Sequence, residues 1–196
     1  MAILEWRKTR GTFLSLGLAA LLAAVGCSDS DDSPTTPRPG GEAGILTIEM
    51  TDAPIDDVAE LWVYVSGLDV KPVDGPLVRL RPPEMAAGLY DLLGLRDGVS
   101  AILFDAEVEA TDYQFIEIEL DQDRSFLIEK DRPGVEVPVQ IASGKAKLNG
   151  GPFRVRPDGS TSVLFDFDAA KSLKRKGNGD YLLKPFLQII RTTESG

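Results

Sequence analysis

The sequence predicts an all-β fold, an antiparallel β-sandwich that follows a cleaved signal peptide and a disordered tether. Three observations carry that prediction. From residue 45 onward the chain consists of short apolar runs bounded by Gly, Pro, Asp and Asn, at regular spacing. Several of these runs alternate apolar and polar residues with the period of two that belongs to strands. No segment of ten or more residues in that body has the period of an amphipathic helix, so two packed sheets are the most economical architecture.

Composition narrows the function before any motif is read. The chain has 196 residues, 43% hydrophobic and 27% charged, enough for one domain with a core and too few for two large ones. Its 21 Lys+Arg against 31 Asp+Glu give a net charge of −10, which argues against a nucleic-acid partner. There is no histidine, which removes His-based triads, imidazole bases and His-containing zinc sites. The one cysteine excludes an intrachain disulfide. The sequence calls for no cofactor and reads as non-enzymatic.

Residues 1–26 read as a leader. Arg7, Lys8 and Arg10 precede GTFLSLGLAALLAAVG (11–26), an uncharged stretch shorter than the roughly 20 apolar residues a spanning helix needs. The exit, Ala24-Val25-Gly26-Cys27, resembles the lipobox of bacterial lipoproteins, with Ala24 where Leu is usual. The resemblance implies that Cys27 becomes the mature N-terminus, carries acyl chains and anchors the protein to a membrane in the cell envelope. In a Gram-negative cell, Ser28 implies onward transport to the outer membrane, because Asp at that place is the usual retention signal. Losing three basic residues and one acidic one leaves 18 against 30, a net charge of −12, so the anchor rather than the body's charge must supply attachment.

The segment SDSDDSPTTPRPGGEAG (28–44) has no large apolar residue and reads as a disordered tether behind Cys27. Fully stretched, it reaches about 55 Å. The body is expected over 45–191, with 192–196 as a flexible tail.

Within the body, GILTIEMTDAP (44–54) places Leu46, Ile48 and Met50 on one face and ends in a Thr-Asp-Ala-Pro turn, where Asp52 accepts backbone N–H groups. ELWVYVSGLDVKP (60–72) is apolar on both faces, as expected of an inner strand. LVRL (77–80) is a short strand. YDLLGLRDG (90–98) is either a helical turn or a strand, closed by an Asp97-Gly98 turn. VSAILFDAEVE (99–109) and YQFIEIELD (113–121) pair around Ala110-Thr111-Asp112, with Ile116, Ile118 and Leu120 inward and Phe115 outward. SFLIEK (125–130), VEVPVQI (135–141), KAKL (145–148), PFRV (152–155), STSVLFDFD (160–168) and YLLKPFLQII (181–190) complete nine to eleven strands.

TDAP (51–54), YDLLGLRDGVSAIL (90–103), LFDFDAAKS (164–172) and GNGDYLLKP (177–185) resemble, in order, the blocks of a bacterial lipoprotein family known only as a domain of unknown function. The resemblance covers about 45–190 and implies a transthyretin-like or immunoglobulin-like sandwich. It brings no activity, substrate or catalytic residue. The family's Tyr-x-x-Ile-Arg pattern is broken here, where YQFIEIEL has Glu117 in place of Arg.

Several residue groups are candidates for chemistry. Asp166 and Asp168 sit two apart on a strand, and Asp121 and Asp123 repeat the spacing at a strand end. Such carboxylates can hold Ca²⁺, but without the dense Asp-x-Asp-x-Asp-Gly loop no metal site is assigned, and solvated strand ends and turn caps are the expectation. Both Asp166 and Asp168 must then reach water or backbone donors. At least one is expected within salt-bridge distance of a lysine, Lys171 or, if the GNG turn pairs their strand with the next, Lys184. Trp62 and Tyr64 share one side of a strand. Exposed, they would stack on a sugar ring, whereas the apolar residues around them make core packing the expectation. Lys171, Lys174, Arg175 and Lys176 precede Gly177-Asn178-Gly179 and read as a solvated hairpin tip. The expected function is a lipid-anchored binding or structural module whose partner is a glycan or an envelope protein. The alternatives are a carbohydrate-binding module and a Ca²⁺-stabilised adhesin-like or fibre-associated subunit.

Overall fold

The computed structural model describes residues 42–52, 55 and 58–196. The leader, Cys27 and all but the last three tether residues lie outside the described residues, as do Ala53 and Pro54 of the Thr-Asp-Ala-Pro turn. The described residues form thirteen strands in two sheets, the all-β fold the sequence predicts.

The smaller sheet is built on β1 (Ala43–Thr51), whose alternation buries Leu46, Ile48 and Met50 completely. On one side β1 pairs antiparallel with β5 (Ala101–Glu109); on the other it runs parallel to β10 (Ser160–Phe167). β13 (Leu187–Ser195) adds to β10 in antiparallel fashion, giving the order β13-β10-β1-β5. In β10, Val163, Phe165 and Phe167 are fully buried, each removing about 1.5–3 kcal/mol worth of apolar surface from water.

The larger sheet has nine strands around two long ones, β2 (Glu60–Pro72) and β6 (Asp112–Ile128). β3 (Val78–Leu80) and β4 (Gly88–Asp91) lie on the far edge of β2. β7 (Glu136–Ile141), β8 (Lys145–Lys147) and β9 (Phe153–Arg154) lie along the far edge of β6. Beyond β7 come β12 (Tyr181–Leu183) and β11 (Leu173–Arg175). One core cluster joins both sheets: Ile48 and Phe165 belong to it with Leu61, Val63, Val65, Leu68 and Val70 of β2 and Ile116, Ile118 and Leu120 of β6. The inward residues of β2 change from odd to even numbers because the register shifts between Val65 and Gly67.

Several expectations need correction. The sheets are not purely antiparallel, since β1–β10 and β12–β7 are parallel pairs of strands that no tight turn joins. The runs at 113–121 and 125–130 are one strand, β6, because Gln122-Asp123-Arg124 bulges instead of turning the chain back. Conversely 181–190 is two strands in different sheets, the chain crossing at Lys184-Pro185-Phe186. Gly177-Asn178-Gly179 therefore closes the β11–β12 hairpin, and the partner of β10 is β13. Gly44 is strand, not tether: a Cβ there would lie 2.2 Å from the Arg156 carbonyl oxygen, so glycine permits a close approach of two chains. Residues 192–195, read as tail, pair with Ser160–Val163. The ambiguous 90–98 segment is both things in turn: Asp91 ends β4, then caps a 3₁₀ turn (Leu92–Gly94) by accepting the Leu93 N–H at 3.1 Å. Asp97 and Gly98 take positive φ, and Val99 N–H donates to Arg96 O to close that turn.

Candidate functional site

Trp62 and Tyr64 are not core residues. Leu61, Val63 and Val65 use the inner face of β2, so the alternation turns the two aromatic rings outward, where each is half-buried. Trp62 faces Phe126 across the β2–β6 pair, with ring centroids 6.1 Å apart and planes 22° from parallel. Its Nε1 donates to Glu60 Oε2 at 2.6 Å. Phe126 in turn lies opposite Pro138 of β7, so an aromatic and proline row crosses three strands on the outer face.

The neighbouring row is shaped by a wide bulge. Between the Tyr64–Asp121 and Trp62–Phe126 pairs, β2 advances two residues (62 to 64) while β6 advances five (121 to 126). Asp121 fastens the extra residues: Oδ1 accepts the Asp123 N–H at 3.0 Å and Oδ2 accepts Arg124 Nε at 2.8 Å. Ser125 Oγ donates to Asp121 O at 2.6 Å and accepts the Tyr64 N–H at 3.0 Å, tying the bulge to β2. Gln122 Oε1 accepts the Ile141 N–H at 2.9 Å, tying it to β7. The result is that the Arg124 guanidinium lies over the Tyr64 ring, 3.7 Å from its centroid. The Arg124 guanidinium beside Asp121 holds that carboxyl below its usual range, and Asp121 raises the pKa of Arg124 in return. These residues border a groove of about 630 Å³ with Tyr64, Phe126 and Pro138 in its lining and Leu89, Arg124 and Glu136 beside them.

Further along the same outer face lies a charged network. The Asp69 carboxylate is fully buried beneath Arg81 Nη1 and Lys145 Nζ, each at 3.0 Å. Glu119 meets Arg81 Nη2 at 2.9 Å and Lys145 Nζ at 2.5 Å, and Glu117 lies 3.7 Å from Lys145. Glu119 and Asp69 raise the Lys145 pKa. Gly67 makes room: a Cβ there would be 2.6 Å from both Arg81 Nη1 and Glu119 Oε2. Glu117 is thus part of an ion-pair cluster.

The acidic candidates are found in three separate structural settings: the bulge, β10, which carries Asp166, and the cap of a short helix. Asp121 and Asp123 belong to the bulge. β10 ends at Phe167, so Asp168 is not on the strand with Asp166; it caps the one-turn helix α1 (Ala169–Ser172), accepting the Lys171 N–H at 2.9 Å. Its Oδ2 meets Lys171 Nζ at 2.6 Å, so the lysine partner is Lys171 and not Lys184. Burial pushes the Asp168 pKa up, and the hydrogen bonds and charge of Lys171 override it to leave the group below its usual range. Asp52 reaches the same place, accepting the Ala169 N–H at 2.9 Å. Among the described residues no three Asp, Glu, His or Cys side chains converge as metal ligands would. Of the basic run, Lys171 serves Asp168, Arg175 lies 3.4 Å from the buried Glu129, Lys176 donates to Gln140 Oε1, and Lys174 is exposed. Cys27 lies outside the described residues.

Arg124, Phe126 and Pro138 were not legible as site residues. Asp121-Gln122-Asp123, expected as a strand end with turn caps, forms an Asx turn in which the Asp121 carboxylate accepts the N–H two residues on. Compared with known proteins, the chain matches the family model for Domain of unknown function (DUF4382) over residues 43–185. No curated protein and no solved structure matches it.

Proposed function

The chain belongs to the family described as Domain of unknown function (DUF4382), and from that premise we propose that it is a lipid-anchored, non-catalytic binding module of the cell envelope. The anchor rests on the sequence: a basic then apolar leader ends at the only cysteine, Cys27, and a polar segment separates it from the folded body. The binding role rests on one observation, the Tyr64–Arg124 stack that a fastened bulge holds at the edge of a 630 Å³ groove. A wide bulge in the middle of a long strand gives up ladder hydrogen bonds, and such bulges commonly re-aim a side chain at a site. Carbohydrate is the ligand class that outward-facing Trp62, Tyr64 and Phe126 favour, since aromatic faces match the apolar faces of sugar rings. The non-catalytic reading rests on the carboxylates themselves, of which Asp69, Asp121, Asp168 and Glu129 are each held by basic partners.

Two measurements test it. Labelled palmitate is expected to enter the wild-type chain and not Cys27→Ser; label in the variant overturns the anchor. The full chain is expected to be retained on at least one polysaccharide of a panel, with Tyr64→Ala and Phe126→Ala each weakening retention about tenfold at unchanged melting temperature. Retention untouched by both substitutions overturns the groove as the binding surface.

A further inference from the structure

We infer that the groove beside Arg124 is built for an acidic sugar, a uronic-acid residue of an envelope or extracellular polysaccharide, whose carboxylate Arg124 receives. The inference deepens the carbohydrate reading above and rests on it.

The donor and acceptor inventory of the groove carries the inference. Gln122 and Gln140 both line it. Gln122 Oε1 is taken by the Ile141 N–H, and Gln140 Oε1 by Lys176 Nζ. Both of those partners can only donate, so each glutamine is fixed with its oxygen turned to the protein. What is left for a ligand is two amide NH₂ groups, which are donors. Arg124 adds more donors: its Nε is committed to Asp121 and its guanidinium also bonds Tyr64, which leaves the remaining Nη hydrogens. Stacking on Tyr64 and the Asp121 bond hold that fork in one orientation before any ligand arrives. The outward N–H groups of a planar guanidinium held in this way suit a carboxylate.

Asp123 and Glu136 also line the groove, and as carboxylates they can only accept. They narrow the ligand further. Sulfate or a fatty-acid carboxylate brings acceptors for Arg124 and the glutamines and nothing to donate to Asp123 or Glu136. A neutral sugar brings hydroxyl donors and no charge for the fork. A uronic acid brings both on one ring, and its apolar face matches the lining made by Phe126 and Pro138.

The test uses the full-length chain in detergent micelles and isothermal titration calorimetry. The probes are tetramers of galacturonic, glucuronic and mannuronic acid, each also as its methyl ester, which removes the charge and keeps the rings. At least one acid tetramer is expected to bind about tenfold more tightly than its ester, with the difference shrinking as salt is raised. In Arg124→Gln the acid and its ester are expected to bind with equal affinity. The acid-to-ester comparison needs no variant, so it stands even where Arg124→Gln loses stability. Equal binding of acid and ester overturns the acidic-sugar assignment and leaves the carbohydrate reading standing. Binding of neither form overturns the assignment, and absence of retention on every neutral polysaccharide as well overturns both. A peptide with a free terminal carboxylate that binds more tightly than all the tetramers overturns the assignment in favour of a protein partner.

Discussion

Glu129 has 4% of its surface exposed, and it stays charged because three groups come to it. Tyr181 donates its hydroxyl at 2.7 Å, Arg132 pairs with Oε2, and Arg175 lies 3.4 Å from Oε1. The Tyr181 hydroxyl and then Arg132 hold the Glu129 carboxyl below the usual carboxylate range, while burial and Glu129 push the Tyr181 hydroxyl up. A carboxyl with a lower pKa in the folded chain than in the unfolded one stabilises the fold at pH values above the unfolded value, about 4.3. That contribution is lost as pH falls through the folded pKa. The melting temperature of the wild type is therefore expected to fall between pH 5 and pH 2 more steeply than that of Glu129→Gln. Parallel curves for the two would mean that Glu129 is not the linked group. Nothing in the run Leu127-Ile128-Glu129-Lys130 distinguishes this buried glutamate from a solvated one, because its partners come from residues 132, 175 and 181.

At the scale of elements, the bulge in β6 and the crossing at Pro185 are what a period-two reading passes over. Alternation correctly turns Leu46, Ile48 and Met50 of β1, and Val163, Phe165 and Phe167 of β10, to the core, because it reports which face of a strand is apolar. It is silent about which strand lies alongside, so the parallel β1–β10 neighbours were out of reach. It also misled at Trp62 and Tyr64: an apolar side chain on the outer face of a sheet looks, in sequence, like one buried on both faces. The bulge has its own test. Removing the fastening carboxylate with Asp121→Ala takes away the acceptor for Arg124 Nε and for the Asp123 N–H. The loss is expected to cost about 0.5–1.5 kcal/mol in urea unfolding, and the Arg124 side chain should leave the Tyr64 ring, seen as a loss of ring-current shift on its δ protons. Retention of that shift would mean that stacking alone orients the guanidinium.

Across the whole molecule, the described residues bury their apolar surface in one cluster and carry most of their charge on the outer faces. The strand that opens this body, β1, has no partner close to it in sequence: Ala43–Met50 pairs with residues 101–109 on one side and Ile45–Thr51 with 160–166 on the other. Order of arrival follows from that arrangement. A chain delivered N-terminus first presents Leu46, Ile48 and Met50 long before β10 exists to cover them, and closing so long a loop is a late and slow step. β2, β3 and β4, at 60–91, are local to one another and can assemble in the interval, with β6 following. Ile48→Ala is expected to cost about 2–5 kcal/mol, with nearly all of it appearing as faster unfolding and little as slower folding. Stopped-flow refolding that slows in proportion to the lost stability would place β1 in the nucleus instead. A first strand that docks last also comes away first, so the segment nearest the proposed anchor point is where pulling on the chain would begin to open the sandwich.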